Sequence, residues 1–161
     1  MPSAARKSKP RPSIQMAFAC ENVVRKPGGP VTFENVLDGI AADDFPASSG
    51  LWFAIFCFYS DVEQTIGNCR VVITYDQGDV IAQTKLKDVG FRRDDPISRN
   101  AVRFQGLSWP YPGRYRVAFL ANRDDELAFF PLWVQQAPAM PEPQADDTAD
   151  APAAEQADAA G

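Results

Sequence analysis

Histidine is missing altogether from these 161 residues. Its absence removes the side chain that most often serves as general base, proton shuttle and transition-metal ligand near neutral pH. Ser-His-Asp and Cys-His mechanisms go with it. Cysteine is scarce: Cys20, Cys57 and Cys69 form an odd set without a Cys-x-x-Cys pair, which suggests neither a disulfide framework nor a zinc site. They read as buried thiols in a reducing compartment. Long apolar runs are lacking as well. The longest, residues 51–59, is far too short to span a bilayer as a helix. No signal-peptide core follows Arg6, Lys7, Lys9 and Arg11 before Glu21 and Asn22. A cytoplasmic chain with no membrane partner is expected. Amphipathic helical periodicity is absent too, although residues 61–66 have room for one helical turn.

What remains is enough for one globular domain. Hydrophobic residues make up 45% and aromatics 11%, which supports a real core without metal or disulfide staples. The formal net charge of -5 is concentrated at the ends. Residues 137–161 hold Glu142, Asp146, Asp147, Asp150, Glu155 and Asp158 with no Lys or Arg, the composition of a disordered acidic Ala/Pro-rich tail. Residues 1–12 form a basic arm, expected to be disordered. Nucleic acid is disfavoured as a partner, because the acidic tail competes for the arm and repels phosphate. The domain proper is placed at residues 13–136.

Within that span short alternating apolar runs are separated by turn-formers, the pattern of strands. Ile14, Met16, Phe18 and Cys20 alternate on one face of a first strand. The turn Lys26-Pro27-Gly28-Gly29-Pro30 returns the chain through Val31, Phe33 and Leu37, with a bulge expected near Asn35 or Val36. Residues 51–59 are apolar on both faces. Cys69, Val71, Ile73 and Tyr75 lead through Asp76-Gln77-Gly78-Asp79 into residues 80–86, a hairpin. A polar loop over residues 87–100 follows, then strands around Val102 and Phe104, over residues 115–121, and over residues 126–134. Pro131 inside the last one removes a ladder donor and calls for an edge or a bulge. About eight strands in two packed antiparallel sheets, an all-β sandwich, is the expected fold.

The segment Pro112-Gly113-Arg114-Tyr115, the polar tip at residues 122–125 and the closing Phe130-Pro131-Leu132-Trp133-Val134 are similar to the end of immunoglobulin-like sandwiches, and imply a tyrosine-corner contact by Tyr115. Together with residues 18–22, Val36-Leu37-Asp38-Gly39-Ile40 and Phe45-Pro46, the chain resembles a bacterial domain-of-unknown-function family of small immunoglobulin-like β-sandwich proteins. That resemblance implies a fold and a bacterial source, and no activity.

Chemistry-bearing motifs are few. The doublets Asp43-Asp44, Asp94-Asp95 and Asp124-Asp125 read as solvated turns, and no Asp-x-Asp-x-Asp-Gly spacing offers a calcium loop. No catalytic, metal-ligating or cofactor-binding residue is expected, no cofactor, and the chain is expected not to be an enzyme. The candidate interaction surface comprises Trp52, Phe56 and Phe58 on one face of residues 51–59, the arginines Arg103, Arg114 and Arg116, and the aromatics Trp109, Tyr111 and Trp133. If residues 51–59 turn their other face to the core, Trp52, Phe56 and Phe58 need a cover. It would come from the loops around Phe45 and Phe91 or from a second chain. The expected function is a non-enzymatic protein-protein interaction or accessory module, with a protein partner or self-association. The alternative is a carbohydrate- or small-ligand-binding sandwich using an aromatic end.

Overall fold

A computed structural model of the chain describes residues 10–76 and 78–138. Of the acidic tail expected at residues 137–161 and the arm expected at residues 1–12, residues 139–161 and 1–9 lie outside the described residues. Among those described there is no helix, and none that is long and apolar enough to cross a membrane. The strands are β1 (Ser13–Arg25), β2 (Val31–Leu37), β3 (Gly39–Ala42), β4 (Ala47–Ser48), β5 (Trp52–Tyr59), β6 (Gln64–Ile66), β7 (Arg70–Tyr75), β8 (Val80–Lys85), β9 (Val89–Phe91), β10 (Ile97–Phe104), β11 (Ser108–Trp109), β12 (Gly113–Ala121) and β13 (Asp125–Gln136).

The protein is all-β, but the expected pair of sheets is only part of it. A sheet in the order β10-β5-β1-β2 and another in the order β3-β13-β12-β7-β8 are joined by two-stranded sheets, β11-β4 and β6-β9. Within residues 61–66 the chain forms strand at Gln64–Ile66 rather than a helical turn, and the loop expected at 87–100 contains β9 and the start of β10. Val89 and Phe91 there are buried in the core, which is what makes that segment extended.

The two large sheets face each other across one core. Phe56 and Phe58 from β5 meet Phe119 from β12 at centroid separations of 5.3 and 4.9 Å, and Phe56 meets Phe130 from β13 at 5.5 Å. Small residues opposite large ones make this fit. The β1 side chains turned to the same side are Ala17 and Ala19, paired with Phe56 and Ala54. An irregularity in the β1-β5 register at Gln15 separates Ile14 from Met16, so the run from Ile14 to Cys20 does not form one unbroken stripe.

Between Leu37 and Gly39 the chain passes from one large sheet to the other. There β3 runs parallel to β13, with Gly39 beside Trp133. Only Trp133–Gln136 of β13 is covered by β3. The Trp133 N–H points to that side, towards the Asp38 carbonyl, and so does the nitrogen of Pro131 two residues earlier. Pro131 thus sits in an interior strand at a point where that strand is locally an edge. Asn35 has φ 53° at the expected irregularity in β2. At the other end, Pro10 accepts a hydrogen bond from Gln64 Nε2 at 3.0 Å, Arg11 pairs with Asp125 at 3.4 Å, and Pro12 is buried.

Candidate functional site

Strand β5 is apolar on both faces, and the structure decides which face is which. Trp52, Ala54, Phe56 and Phe58 point inward, whereas Phe53, Ile55 and Cys57 point away from the main core. This reverses the orientation considered from sequence. Trp52, Phe56 and Phe58 are fully enclosed and cannot be a contact surface. Phe91 belongs to the same core cluster as these rings and Phe45 packs against it, so the face is covered within the chain, together with Phe119 and Phe130 of the facing sheet.

The outward face of β5 has a small core of its own. Cys20, Ile55 and Cys57 are buried there, with Phe18, Val23, Phe33, Phe53 and Ala101 packed around them. Phe18 and Phe33 meet edge to face at 5.2 Å. Although β2 and β10 are opposite edges of their sheet, Arg25, Val31 and Phe33 share a crevice with Ile55, Arg99 and Ala101. The far end of the β1-β2 hairpin therefore curls over the sheet and covers part of it. Beyond that cover Met16 and Tyr59 remain exposed. Arg25, Arg99 and Arg103 surround the cluster, and among the described residues none of the three has an ion-pair partner; Arg103 donates to Gln105 Oε1 at 2.7 Å.

The other sequence candidates are scattered. Arg114 and Arg116 lie on β12, in the opposite sheet from Arg103, because β10 pairs with β5 and not with β12. Both are engaged: Arg114 with Asp76 at 3.8 Å, Arg116 with Glu126 through Nε at 3.2 Å and also over the ring of Phe129 at 3.4 Å. The expected arginine cluster does not form. Trp109 is enclosed, stacked edge-on against Tyr115 at 4.8 Å, while Tyr111 and Trp133 are exposed in different places. Trp109, Tyr111 and Trp133 thus do not make one aromatic end. Trp133 instead sits beside a groove lined by Asp38, Gly39, Ile40, Ala41 and Gln135, which sequence reasoning missed because the groove depends on the β3-β13 pairing.

Cys20, Cys57 and Cys69 are free and buried, and burial pushes each thiol pKa up. The nearby Arg99 opposes this at Cys57 without reversing it. Such thiols hold their protons at neutral pH and are poor nucleophiles. Among the described residues no three Cys, Asp or Glu side chains come together as metal ligands.

No protein-family model matches the chain, and no curated protein matches it either. Among solved structures it is similar to a Pseudomonas fluorescens alkylpurine DNA glycosylase, AlkC, bound to DNA containing an abasic site analog. The TM-score is 0.51 and the identity 14%, over 78% of this chain and 30% of the glycosylase. A β-glucosidase from Listeria innocua in complex with isofagomine matches at TM-score 0.37 and 10% identity, over 75% of this chain and 16% of that one. This chain spans under a third of the glycosylase's length. The glycosylase is an enzyme, which corrects the expectation that the chain is not one; at 14% identity the likeness itself shows the fold alone.

Proposed function

We propose that this chain is an immunoglobulin-like recognition module that docks a protein partner on the outward face of the sheet β10-β5-β1-β2. The observation that carries this reading is the exposed Met16 and Tyr59 with the partly buried Phe18 and Phe53 outside the main core, flanked by Arg25, Arg99 and Arg103, none of which has an ion-pair partner among the described residues. A protein surface with apolar area at its centre and unpaired arginines at its rim suits a partner segment that is apolar and acidic. It does not suit a second copy of itself, because the same arginines would face each other across a two-fold axis.

The immunoglobulin-like assignment rests on the crossing of the chain from β2 to β3, the parallel pairing of β3 with the last strand, and the tyrosine tie at Tyr115. Membership of the bacterial family of unknown function remains part of the same proposal, as does a cytoplasmic location, which the three free thiols favour. The glycosylase offers a precedent for such a unit within a larger catalytic protein.

The test is crosslinking with mass spectrometry in host lysate. It uses the full chain, an Arg99→Glu/Arg103→Glu variant and a Met16→Asp/Tyr59→Asp variant. A partner crosslinked to β1, β5 or β10 and lost from both variants supports the docking face; a partner retained by both variants overturns it.

A further inference from the structure

The groove beside Trp133 lies on the other large sheet and owes its shape to small residues. In the parallel register, Gly39 stands next to Trp133 and Ala41 next to Gln135, and side-by-side residues of adjacent strands share a face. Leu132 and Val134 point into the core, so Trp133, Gln135, Gly39 and Ala41 all point outward. The two outward positions of β3 thus carry no side chain and a methyl group, and the sheet surface is hollowed beside the indole. A Cβ at Gly39 would lie 3.0 Å from the Trp133 carbonyl oxygen, a tight contact that favours glycine there. The groove measures ≈ 370 Å³, within the range of about 300–1,000 Å³ usual for small-ligand clefts.

We infer that this groove binds a neutral carbohydrate, with one pyranose ring stacked on Trp133. Trp133 is 45% exposed, a large rigid residue left only partly covered by its own protein. A pyranose has a C–H face that stacks on such a ring and hydroxyl groups around its rim that both donate and accept. Asp38 and Gln135 flank the hollow with groups that answer them: a carboxylate accepts, and a carboxamide does both. Among the described residues Asp38 is the one charged group lining the groove, and it disfavours uronates and phosphates relative to a neutral sugar. Arg114, the cross-strand neighbour of Trp133, is directed to Asp76 and does not change that balance. This site is independent of the docking face around Ile55, which belongs to the opposite sheet.

The full chain is titrated with soluble neutral oligosaccharides of β-glucan, xylan, mannan and chitin, and with polygalacturonate as the acidic counterpart. Intrinsic fluorescence and calorimetry supply the readouts. Trp52 and Trp109 are buried, so a ligand-induced fluorescence change reports on Trp133. Saturable binding to at least one neutral probe is expected, weakened about tenfold or more by Trp133→Ala. Ala41→Phe fills the hollow while leaving the indole in place and is expected to weaken binding similarly. Both positions face solvent, and unchanged melting temperatures verify that the variants are folded. Absence of saturable binding to every neutral probe overturns the inference. So does affinity unchanged in Ala41→Phe, or a preference for polygalacturonate.

Discussion

The Tyr115 hydroxyl donates to the Tyr111 carbonyl at 2.6 Å and accepts the Tyr111 N–H at 3.3 Å, tying the Trp109–Gly113 turn to the strand that follows it. Tyr115 is fully enclosed, so the tie lies at the wall of the main core. Tyr115→Phe leaves the Tyr111 carbonyl without this donor and is expected to cost about 1–2 kcal/mol in urea unfolding. Burial raises the Tyr115 pKa above the ordinary 10.0, opposed in part by the bond to the Tyr111 backbone. A raised value means the folded state keeps its proton longer than the unfolded chain. The stabilisation is therefore complete below pH 10.0 and disappears as pH climbs through the folded-state value. Stability measured into the alkaline range should fall less steeply for Tyr115→Phe than for the wild type.

Part of this architecture was legible in alternation alone, because β12 and β13 bury every second residue over most of their length. The tyrosine tie was legible from Pro112-Gly113-Arg114-Tyr115. What alternation could not decide is β5, whose two faces are both apolar. The decision comes from its neighbour: Ala17 and Ala19 leave space for Phe56, Phe58 and Phe119, while Met16, Phe18 and Cys20 are on the other side. Larger apolar residues on β1 pointed to the wrong face. The Trp133 groove was illegible for another reason, since Gly39 and Ala41 carry no pattern and matter only through what they leave empty.

Cys20 and Cys57 are buried under the curled β1-β2 hairpin, whereas Cys69 is part of the main core. All three are expected to resist a water-soluble thiol reagent in the native protein. Phe33→Ala removes the ring that meets Phe18 and loosens the hairpin cover, at a cost of about 2 kcal/mol for a partly buried ring. Peptide-resolved labelling should then show faster reaction at Cys20 and Cys57, with Cys69 still protected. Equal acceleration at all three would mean that the hairpin does not open as a separate unit.

Arg116 and Arg114 occupy the same strand face but should differ in their contribution to stability. Arg116 lies over Phe129 and is paired with Glu126, whereas Arg114 has one longer contact to Asp76. Arg116→Ala is expected to cost about 1 kcal/mol, Arg114→Ala close to nothing, since exposed single pairs contribute little. A Phe129→Ala/Arg116→Ala double-mutant cycle measures the stacking directly, and an interaction energy near zero would remove it from the account.

The assignment of the two faces of β5 is tested by a matched pair, Phe53→Ser and Phe56→Ser. Phe56 is fully enclosed against Phe58, Phe119 and Phe130, so Phe56→Ser opens a cavity in the main core and buries a hydroxyl among rings. Loss of about 3–5 kcal/mol is expected, enough to unfold a marginally stable domain. Phe53 is only partly buried in the outer cluster, in register with Cys20 on one side and Arg103 on the other. Phe53→Ser should remain folded with a smaller loss, because solvent can reach the new hydroxyl. It should also lose the protein partner, since the ring stands within the proposed docking face beside Arg103. The reverse ranking in urea unfolding would place Phe53 in the main core and turn the strand over. A folded Phe53→Ser variant that keeps its partner would leave the orientation intact and move the docking surface away from Phe53.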